Sequence, residues 1–255
     1  MTNSLDTEQK QNSDTRRIGI AFCILGRPEA VLLARGAGFD FAVVDMEHGP
    51  LGMDALGQVA TAGLAANFPV WARVGGPRSG DLARVFDCGA TGLIVPHVDS
   101  VAEAREIVRA CRFAPLGGRS IPGPIPTLDY ALLSALDFCD QADRAVSIAA
   151  MIESAAGLEA VDEIAAVDGI DMLVIGTNDL ADGLGLRGQV EHATVLAAFG
   201  RIAGAAARHG KEFGVMGLPP HLIASHAPGA TLIVATNDTN LLVGGGAQEV
   251  ARLRS

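Results

Sequence analysis

The chain has 255 residues, of which 49% are hydrophobic and 19% charged, and its formal net charge at pH 7 is −10. This length and apolar content predict one large domain with a well-buried core, and about 250 residues is the length that a (β/α)8 barrel needs. The negative charge argues against nucleic acid as a partner, because phosphate binding requires a basic surface. A small anionic substrate remains compatible with it, since a local cation outweighs distant charges within a Debye length of about 8 Å.

Residues 1–17 lack the apolar core of a secretion signal, and we expect them to form a loose arm. No apolar segment reaches 18 residues without a charge or a turn signal, so the sequence predicts a soluble, cytoplasmic protein. The four cysteines are scattered singly without CxxC spacing, and we expect reduced, mostly buried thiols.

Short apolar runs alternate with Ala-rich amphipathic segments, and this alternation predicts a parallel sheet with crossover helices. The predicted strands cover 18–24, 41–44, 70–73, 92–95, 146–152, 172–175, 213–216 and 231–235. The predicted helices begin after Pro28, cover 52–66, 80–88, 101–112, 128–140 and 155–167, form a short turn through 181, cover 193–209, and begin again after Pro220 and near Asp238. Eight strands favour a closed (β/α)8 barrel that spans residues 18–255. A doubly wound open sheet is the alternative, although it more usually has fewer strands.

Two stretches break the alternation. Between Phe113 and Thr127 four prolines and three glycines exclude regular structure, and a loop of this length is more often functional or lid-like than idle. Gly244-Gly245-Gly246 is predicted to be a flexible point before the C-terminal segment, which would let that segment pack elsewhere, including on another subunit.

The segment FDFAVVDMEHGP at 39–50 predicts a buried strand that ends in a polar cluster. Asp45 and His48 lie three residues apart across the turn, so the carboxylate is expected to hold the imidazole in one tautomer and raise its basicity, as in a general base. The alternative is a capping acid and a solvated histidine in a surface loop.

Other ionisable residues follow other predicted strands, and in a barrel they would share one rim. Glu153 follows strand 5 and Asp179 follows strand 6, so their carboxylates are expected to converge on a hard divalent cation such as Mg²⁺ or Mn²⁺. Helix N-capping is the alternative for either acid alone. Arg73, at the end of strand 3, is expected to pair with Glu47 or Asp45, or to bind a substrate carboxylate or enolate. His97 and Asp99 are weaker candidates, since Asp99 or Ser100 is expected to cap the next helix.

The turn Gly176-Thr177-Asn178-Asp179 leads from a strand into a helix, so its N–H groups are expected to bind a substrate carboxylate. A cation chelated by a 2-oxo acid, an arginine on the ketone oxygen and a nearby base together predict enolate formation.

Five segments in this order and spacing resemble the HpcH/HpaI aldolase family over 17–253. They are FDFAVVDMEHGP at 39–50, the WARV segment that contains Arg73, DCGATGLIVPHVDSVAEA at 87–104, MIESAAGLEAVDEIAAVDGID at 151–171 and VIGTNDLADGLG at 174–185. The resemblance implies a metal-dependent class II aldolase for pyruvate or related 2-oxo acids, in which Mg²⁺, Mn²⁺ or Co²⁺ is the cofactor.

The resemblance also implies roles for single residues. Glu153 and Asp179 resemble the metal ligands, His48 with Asp45 the base dyad, and Arg73 the carbonyl-anchoring arginine. The turn at Thr177-Asn178 resembles the carboxylate-binding backbone. A last helix exchanged between subunits of a homohexamer, a trimer of dimers, is implied as well.

The chain departs from the family pattern at three places. Met151 stands where many members have Gln, Thr177-Asn178 replaces the commoner Pro-Ala, and the segment 117–126 carries Ser120 and extra prolines. Substrate specificity is therefore the property that the resemblance predicts least.

The sequence thus predicts reversible retro-aldol cleavage of a 4-hydroxy-2-oxo acid to pyruvate, or a close analogue, and an aldehyde. Two alternatives remain. One is a metal-dependent lyase or mutase of a related barrel that acts on an acyl-CoA or phosphonate substrate, although a CoA substrate would favour a basic surface. The other is a non-catalytic barrel that binds a metabolite.

Overall fold

The computed structural model of the protein describes residues 16–255, in which eight parallel strands close into a barrel in chain order. The strands are β1 (Arg17–Phe22), β2 (Phe41–Asp45), β3 (Val70–Arg73), β4 (Gly92–Val95), β5 (Ser147–Ile152), β6 (Met172–Gly176), β7 (Glu212–Met216) and β8 (Leu232–Asn237). The helices are α1 (Pro28–Gly36), α2 (Met53–Ala65), α3 (Arg84–Asp87), α4 (Val101–Cys111), α5 (Ala135–Arg144), α6 (Ala155–Glu159), α7 (Val161–Ala165), α8 (Thr177–Gly183), α9 (Ala193–Arg208), α10 (Pro220–His226) and α11 (Asp238–Arg254). The predicted (β/α)8 barrel is confirmed.

Apolar side chains fill both the inside of the barrel and the layer between strands and helices. Inside, the Phe41 and Trp71 rings lie 6.2 Å apart, and each ring covers a glycine of the neighbouring strand. A Cβ atom would come within 2.3 Å of the Phe41 ring at Gly19 and within 2.1 Å of the Trp71 ring at Gly92. Glycine at these two positions therefore makes room for the large rings that close the interior.

The long connection after α4 differs from the prediction. A helix was expected from Leu128, but α5 begins at Ala135, where the Ser134 hydroxyl accepts a hydrogen bond from the N–H of Asp137. Asp129 and Tyr130 have positive φ angles of 52° and 54°, and this left-handed backbone cannot continue a helix.

The proline-rich loop at 113–127 does not lie over the carboxyl ends of the strands, as a lid would. It joins α4 to α5 and β5, so it lies at the end of the barrel where the strands begin, opposite the carboxyl ends. The buried Arg119 fastens it there: its guanidinium lies 4.7 Å from the Phe113 ring and 5.3 Å from the Phe86 ring and donates to Asp87 Oδ1 at 2.7 Å. The loop is therefore anchored to the outside of the barrel by a cation–π sandwich.

The prediction of a flexible point at 244–246 is wrong, because the three glycines lie inside the continuous helix α11. Two features stabilise this helix, although each glycine costs about 1 kcal/mol relative to alanine. The Asn237 side chain caps the first turn by accepting from the N–H of Asn240, and Arg252 and Arg254 carry positive charge in the last turn.

The start of α11 is fastened to the loop after β1 by the buried carboxylate of Asp238. Its oxygens accept hydrogen bonds from the N–H groups of Cys23, Ile24, Leu25 and Thr239 at 2.7–3.1 Å. The Asp238 carboxylate therefore ties the loop after β1 to the start of the C-terminal helix.

Replacing Asp238 by Asn is expected to lower the free energy of unfolding by about 1–3 kcal/mol, because one carboxylate oxygen is lost as an acceptor for several partly buried N–H groups. Urea denaturation would measure the change, with the exposed Asp168→Asn as the control. Equal stability of Asp238→Asn and the control would contradict this role for Asp238.

Most of the predicted arm, residues 1–17, lies outside the described residues, and Arg17 already begins β1. Within the described part of the chain, no helix is both long and apolar enough to span a membrane. All four cysteines are free, as predicted, but only Cys111 is fully buried; Cys23, Cys88 and Cys139 are half-buried.

Candidate active site

The carboxyl ends of the strands surround one cavity of about 550 Å³. Its lining includes the residues that the sequence singled out, namely Asp45, His48, Arg73, Glu153 and the turn Gly176–Asp179. They come together because β2 neighbours β3 and β5 neighbours β6, and all parallel strands end at the same rim.

Arg73 is buried and held by two acids from the end of β2. Its Nε donates to Asp45 Oδ1 at 3.0 Å and its Nη2 to Asp45 Oδ2, while Nη1 lies 3.0 Å from Glu47 Oε2. Burial alone would lower the pKa of Arg73, but the hydrogen bonds to Asp45 and the charges of Asp45 and Glu47 outweigh it and raise the pKa. The guanidinium is therefore permanently charged and fixed in one orientation.

The Asp45–His48 pair has a different geometry from the one predicted. Asp45 Oδ1 accepts from the backbone N–H of Glu47 at 3.1 Å and of His48 at 3.2 Å, so the carboxylate shapes the turn. The His48 side chain is 65% exposed and its Nε2 lies 3.8 Å from Glu47 Oε2. Asp45 thus places the backbone that carries His48, and Glu47 is the acid nearest to the imidazole.

Glu153, at the end of β5, is buried and bound on one side by His97. Its Oε1 accepts from the His97 N–H at 2.8 Å and lies 3.0 Å from His97 Nδ1. The other ring nitrogen, Nε2, lies 2.9 Å from Glu47 Oε1. His97 has a φ of 57°, an uncommon conformation that places its N–H and its ring on the same carboxylate.

The sequence indicated Glu47 only as a possible partner of Arg73 and His97 only as a weaker candidate. The signal for both was present: Glu47 lies inside the 39–50 segment, and His97 follows β4 at the same rim. What the sequence did not contain was the positive φ of His97, which turns its ring toward the acids.

The acids at this rim make the site favourable for a cation. Desolvation is the largest cause that raises the pKa of Glu153, and the nearby charges of Glu47 and Asp179 raise it further, against the lowering effect of His97. A divalent ion would remove this repulsion.

The donor atoms fit a divalent metal. One candidate set consists of Glu47, His97 and Glu153, whose ligand atoms all lie within 4.8 Å of one another. Only one carboxylate oxygen of Glu153, Oε1, is bound to His97. The other, Oε2, lies against Gly176, at the start of the helix that carries Asp179. Carboxylate oxygens with one imidazole suit Mg²⁺, Mn²⁺ or Co²⁺.

Gly176 is required by the position of Glu153. A Cβ atom at 176 would lie 2.3 Å from Glu153 Oε2 and 3.0 Å from the sulfur of Met151, which is fully buried beneath the site. The next residue, Thr177, is buried as well and its Oγ1 donates to the Met216 carbonyl at 3.0 Å. The turn is therefore fixed, and the first N–H groups of α8 lack partners within the helix.

Replacing Gly176 by Ala is expected to weaken Mn²⁺ binding by about tenfold or more, because the added methyl group displaces Glu153. Isothermal titration of the metal-free protein with Mn²⁺ would measure it. Gly57→Ala is the matched control, since a Cβ there meets nothing within 4 Å. Unchanged affinity in Gly176→Ala would show that Glu153 Oε2 is not part of the metal site.

Comparisons with known proteins identify the family to which the chain is similar. The HpcH/HpaI aldolase/citrate lyase family matches residues 20–227. The chain is 37% identical to a 4-hydroxy-4-methyl-2-oxoglutarate aldolase of Hapsidospora irregularis, covering 86% of this chain and 83% of that protein. It is 32% identical to a hydroxypyruvate/pyruvate aldolase of Pseudomonas aeruginosa, covering 92% and 88%. The crystal structure of an HpcH/HpaI aldolase from Desulfitobacterium hafniense superimposes with a TM-score of 0.88 at 27% identity, covering 97% and 96%.

Proposed function

Because the chain belongs to the HpcH/HpaI aldolase/citrate lyase family, we propose that it is a carbon–carbon lyase that cleaves a 4-hydroxy-2-oxo acid reversibly to pyruvate, or a close 2-oxo acid, and an aldehyde. Relatives at 30–37% identity are named as aldolases for such compounds. The reaction class follows from the family, and the geometry of the site supports the role of each residue.

One observation carries the proposal. A fixed guanidinium, a pair of carboxylates and an imidazole face a single cavity beside the open start of a helix. Enolate chemistry needs each of these parts: a cation site, a charge-stabilising donor for the enolate oxygen, a base, and a seat for the substrate carboxylate.

We assign the metal site to Glu153 and Asp179. A bound divalent ion would act as a Lewis acid on the ketone of the 2-oxo acid. His97 binds Glu153 Oε1 and Glu47 binds the His97 ring, so these two residues position Glu153 in this assignment. A second arrangement, with Glu47 and His97 themselves as ligands, uses the same Glu153, and anomalous scattering from bound Mn²⁺ would distinguish the two arrangements.

The remaining residues bind and move protons. Arg73, fixed by Asp45, stabilises the developing enolate oxygen. The N–H groups at Thr177, Asn178 and Asp179, made accessible by Gly176, bind the substrate carboxylate. The exposed imidazole of His48 removes a proton from the pyruvate methyl group, with Asp45 fixing its backbone.

We also propose a cytoplasmic location and assembly into a trimer of dimers with α11 exchanged between subunits. The family supports the first proposal. Exposed apolar side chains on α11 support the second, because a helix that packed fully on its own barrel would bury them; they are Leu241, Leu242, Val243, Val250 and Leu253.

The test combines metal dependence with proton exchange. Chelation should abolish turnover of pyruvate with an aldehyde, and Mn²⁺, Mg²⁺ or Co²⁺ should restore it. His48→Ala should slow exchange of the pyruvate methyl protons in deuterated water, followed by NMR, whereas the exposed His221→Ala should not. Full activity in excess EDTA would remove the metal from the mechanism, and unchanged exchange in His48→Ala would remove His48.

A further inference from the structure

The loop after β4 runs beside the end of β5, and two of its backbone N–H groups bind that strand. The Val98 N–H donates to the Met151 carbonyl at 3.3 Å, and the His97 N–H donates to Glu153 Oε1 at 2.8 Å. His97 has the left-handed backbone described above, and such a conformation persists only where the surrounding structure holds it. Any contact that holds this loop therefore also holds the carboxylate of Glu153.

Asp99, the next residue of the loop, links it to the start of α6. Its Oδ1 accepts a hydrogen bond from the hydroxyl of Ser154, the residue that follows Glu153 in the chain. The same hydroxyl accepts from the Gly157 N–H at 2.9 Å and so caps α6. Ser154 is therefore bound both to its own helix and to the neighbouring loop.

Gly157 allows the helix to approach this loop closely. A Cβ atom at 157 would lie 2.8 Å from the Val98 carbonyl oxygen and 3.3 Å from Asp99 Oδ1. The first turn of α6 therefore packs directly on the backbone of the loop after β4, and a larger residue at 157 would separate the two.

Asp99 is itself held by the start of α4. The sequence predicted that Asp99 or Ser100 would cap this helix, and Ser100 is the cap, because its Oγ accepts from the Glu103 N–H at 3.3 Å. Glu103 Oε2 accepts in turn from the Asp99 N–H at 2.9 Å, much as in a capping box. The cap thus fixes the backbone of Asp99 and leaves its carboxylate to bind Ser154.

We infer that Asp99 is a positioning residue for the metal site. Its hydrogen bond with Ser154 fixes the backbone next to Glu153, and it holds the loop that places the His97 N–H on the same carboxylate. The inference rests on the proposed role of Glu153 as a metal ligand. Loss of a group that orients a metal ligand typically weakens metal binding by about ten- to a hundredfold, since the ligand atoms must stay within about 0.5 Å of their place.

The test is titration of the metal-free protein with Mn²⁺. Asp99→Ala should bind Mn²⁺ about tenfold more weakly than the wild type, whereas Asp99→Asn keeps an acceptor oxygen for Ser154 and should stay within about threefold. Asp40→Ala is the matched control and should not change the affinity. Asp40 also links two elements, by accepting from the Ile18 N–H at 2.8 Å, but it precedes β2 and so lies at the opposite end of the barrel.

The hydrogen-bond partner supplies an independent test. Ser154→Ala removes the same bond and should also weaken Mn²⁺ binding, so either single variant tests the inference if the other does not fold. The double variant should bind Mn²⁺ no more weakly than Ser154→Ala alone, because the bond is then already absent. The EPR spectrum of Mn²⁺ bound to Asp99→Ala should differ from that of the wild type, which a loss of stability alone would not cause.

Three results would overturn the inference. They are unchanged Mn²⁺ affinity in Asp99→Ala, an equal loss in Asp99→Ala and Asp99→Asn, which would assign the effect to charge, and additive losses in the double variant. Failure of the proposed function looks different. If the wild type neither binds Mn²⁺ nor condenses pyruvate with an aldehyde, both the function and the inference are wrong. If it does both and Asp99→Ala binds Mn²⁺ equally well, only the inference is wrong.

Discussion

Glu153→Gln is expected to lower aldol turnover by about a thousandfold, because loss of a metal ligand removes several kcal/mol of charge stabilisation in the transition state. The variant should also fail to bind Mn²⁺ in titrations that saturate the wild-type protein. Glutamine keeps the shape of the side chain and can still accept from the His97 N–H, so the change is mainly one of charge. Steady-state kinetics with saturating Mn²⁺ would measure the loss.

The exposed Glu163→Gln is the matched control and should retain both activity and metal binding. If Glu153→Gln kept more than about a tenth of the wild-type turnover, the metal would not depend on this carboxylate, since ligand losses cost at least that much.

We also expect Glu153→Gln to change how the stability of the metal-free protein depends on pH. Burial and neighbouring acids raise the folded-state pKa of Glu153 above its unfolded value, so the folded state binds the proton more tightly. The stabilisation from this group is present below the unfolded pKa and is lost as the pH rises through the folded pKa. Metal-free wild type should therefore gain stability relative to Glu153→Gln as the pH falls across that window.

Arg73→Met is expected to lower the free energy of unfolding by about 3–5 kcal/mol, because it leaves buried carboxylates without their partner. Asp45 loses both of its guanidinium contacts and Glu47 loses the one at 3.0 Å. Turnover should fall as well, by about a hundredfold or more, as for loss of one donor to a developing oxyanion. Urea denaturation and kinetics on the same preparation would separate the two effects.

A double-mutant cycle provides the control for Arg73. The Asp45→Asn variant removes one charge of the pair, and the combination Arg73→Met with Asp45→Asn should be more stable than the sum of the two single changes predicts. Additive effects would mean that the interaction between Arg73 and Asp45 contributes nothing to the free energy of unfolding. Arg187→Met, which breaks a pair with Asp182 on the surface, should change stability by less than about 1 kcal/mol.

The strands were the part of the fold that the sequence predicted best. The central strands are short apolar runs buried on both faces and bounded by turn residues, as in Phe41–Val44 before Asp45, and a parallel sheet covered on both sides accommodates such runs. The ends of helices depend on local hydrogen bonds, which composition does not predict. With Ser134 as its N-cap, α5 begins seven residues after the predicted start, and α3 covers only Arg84–Asp87 although 80–88 was predicted.

The sequence predicted the contacts of the site that depend on the position of a residue along a strand. It did not predict the contacts that depend on backbone conformation in a loop. Arg73 and Asp45 meet because they are register partners on β2 and β3, which the order of the strands implies. The link from Glu47 through His97 to Glu153 depends on one left-handed residue in the loop after β4. The Gly244–Gly246 run shows the opposite error, since its low helix propensity does not interrupt α11.

A crystal structure with Mn²⁺ and pyruvate, in which anomalous scattering locates the ion, would test the proposed metal site most directly. We predict one peak within about 2 Å of carboxylate oxygens from both Glu153 and Asp179, with pyruvate between the ion and Arg73. A peak bound by Glu47, His97 and Glu153 and remote from Asp179, or no peak at this rim, would contradict it.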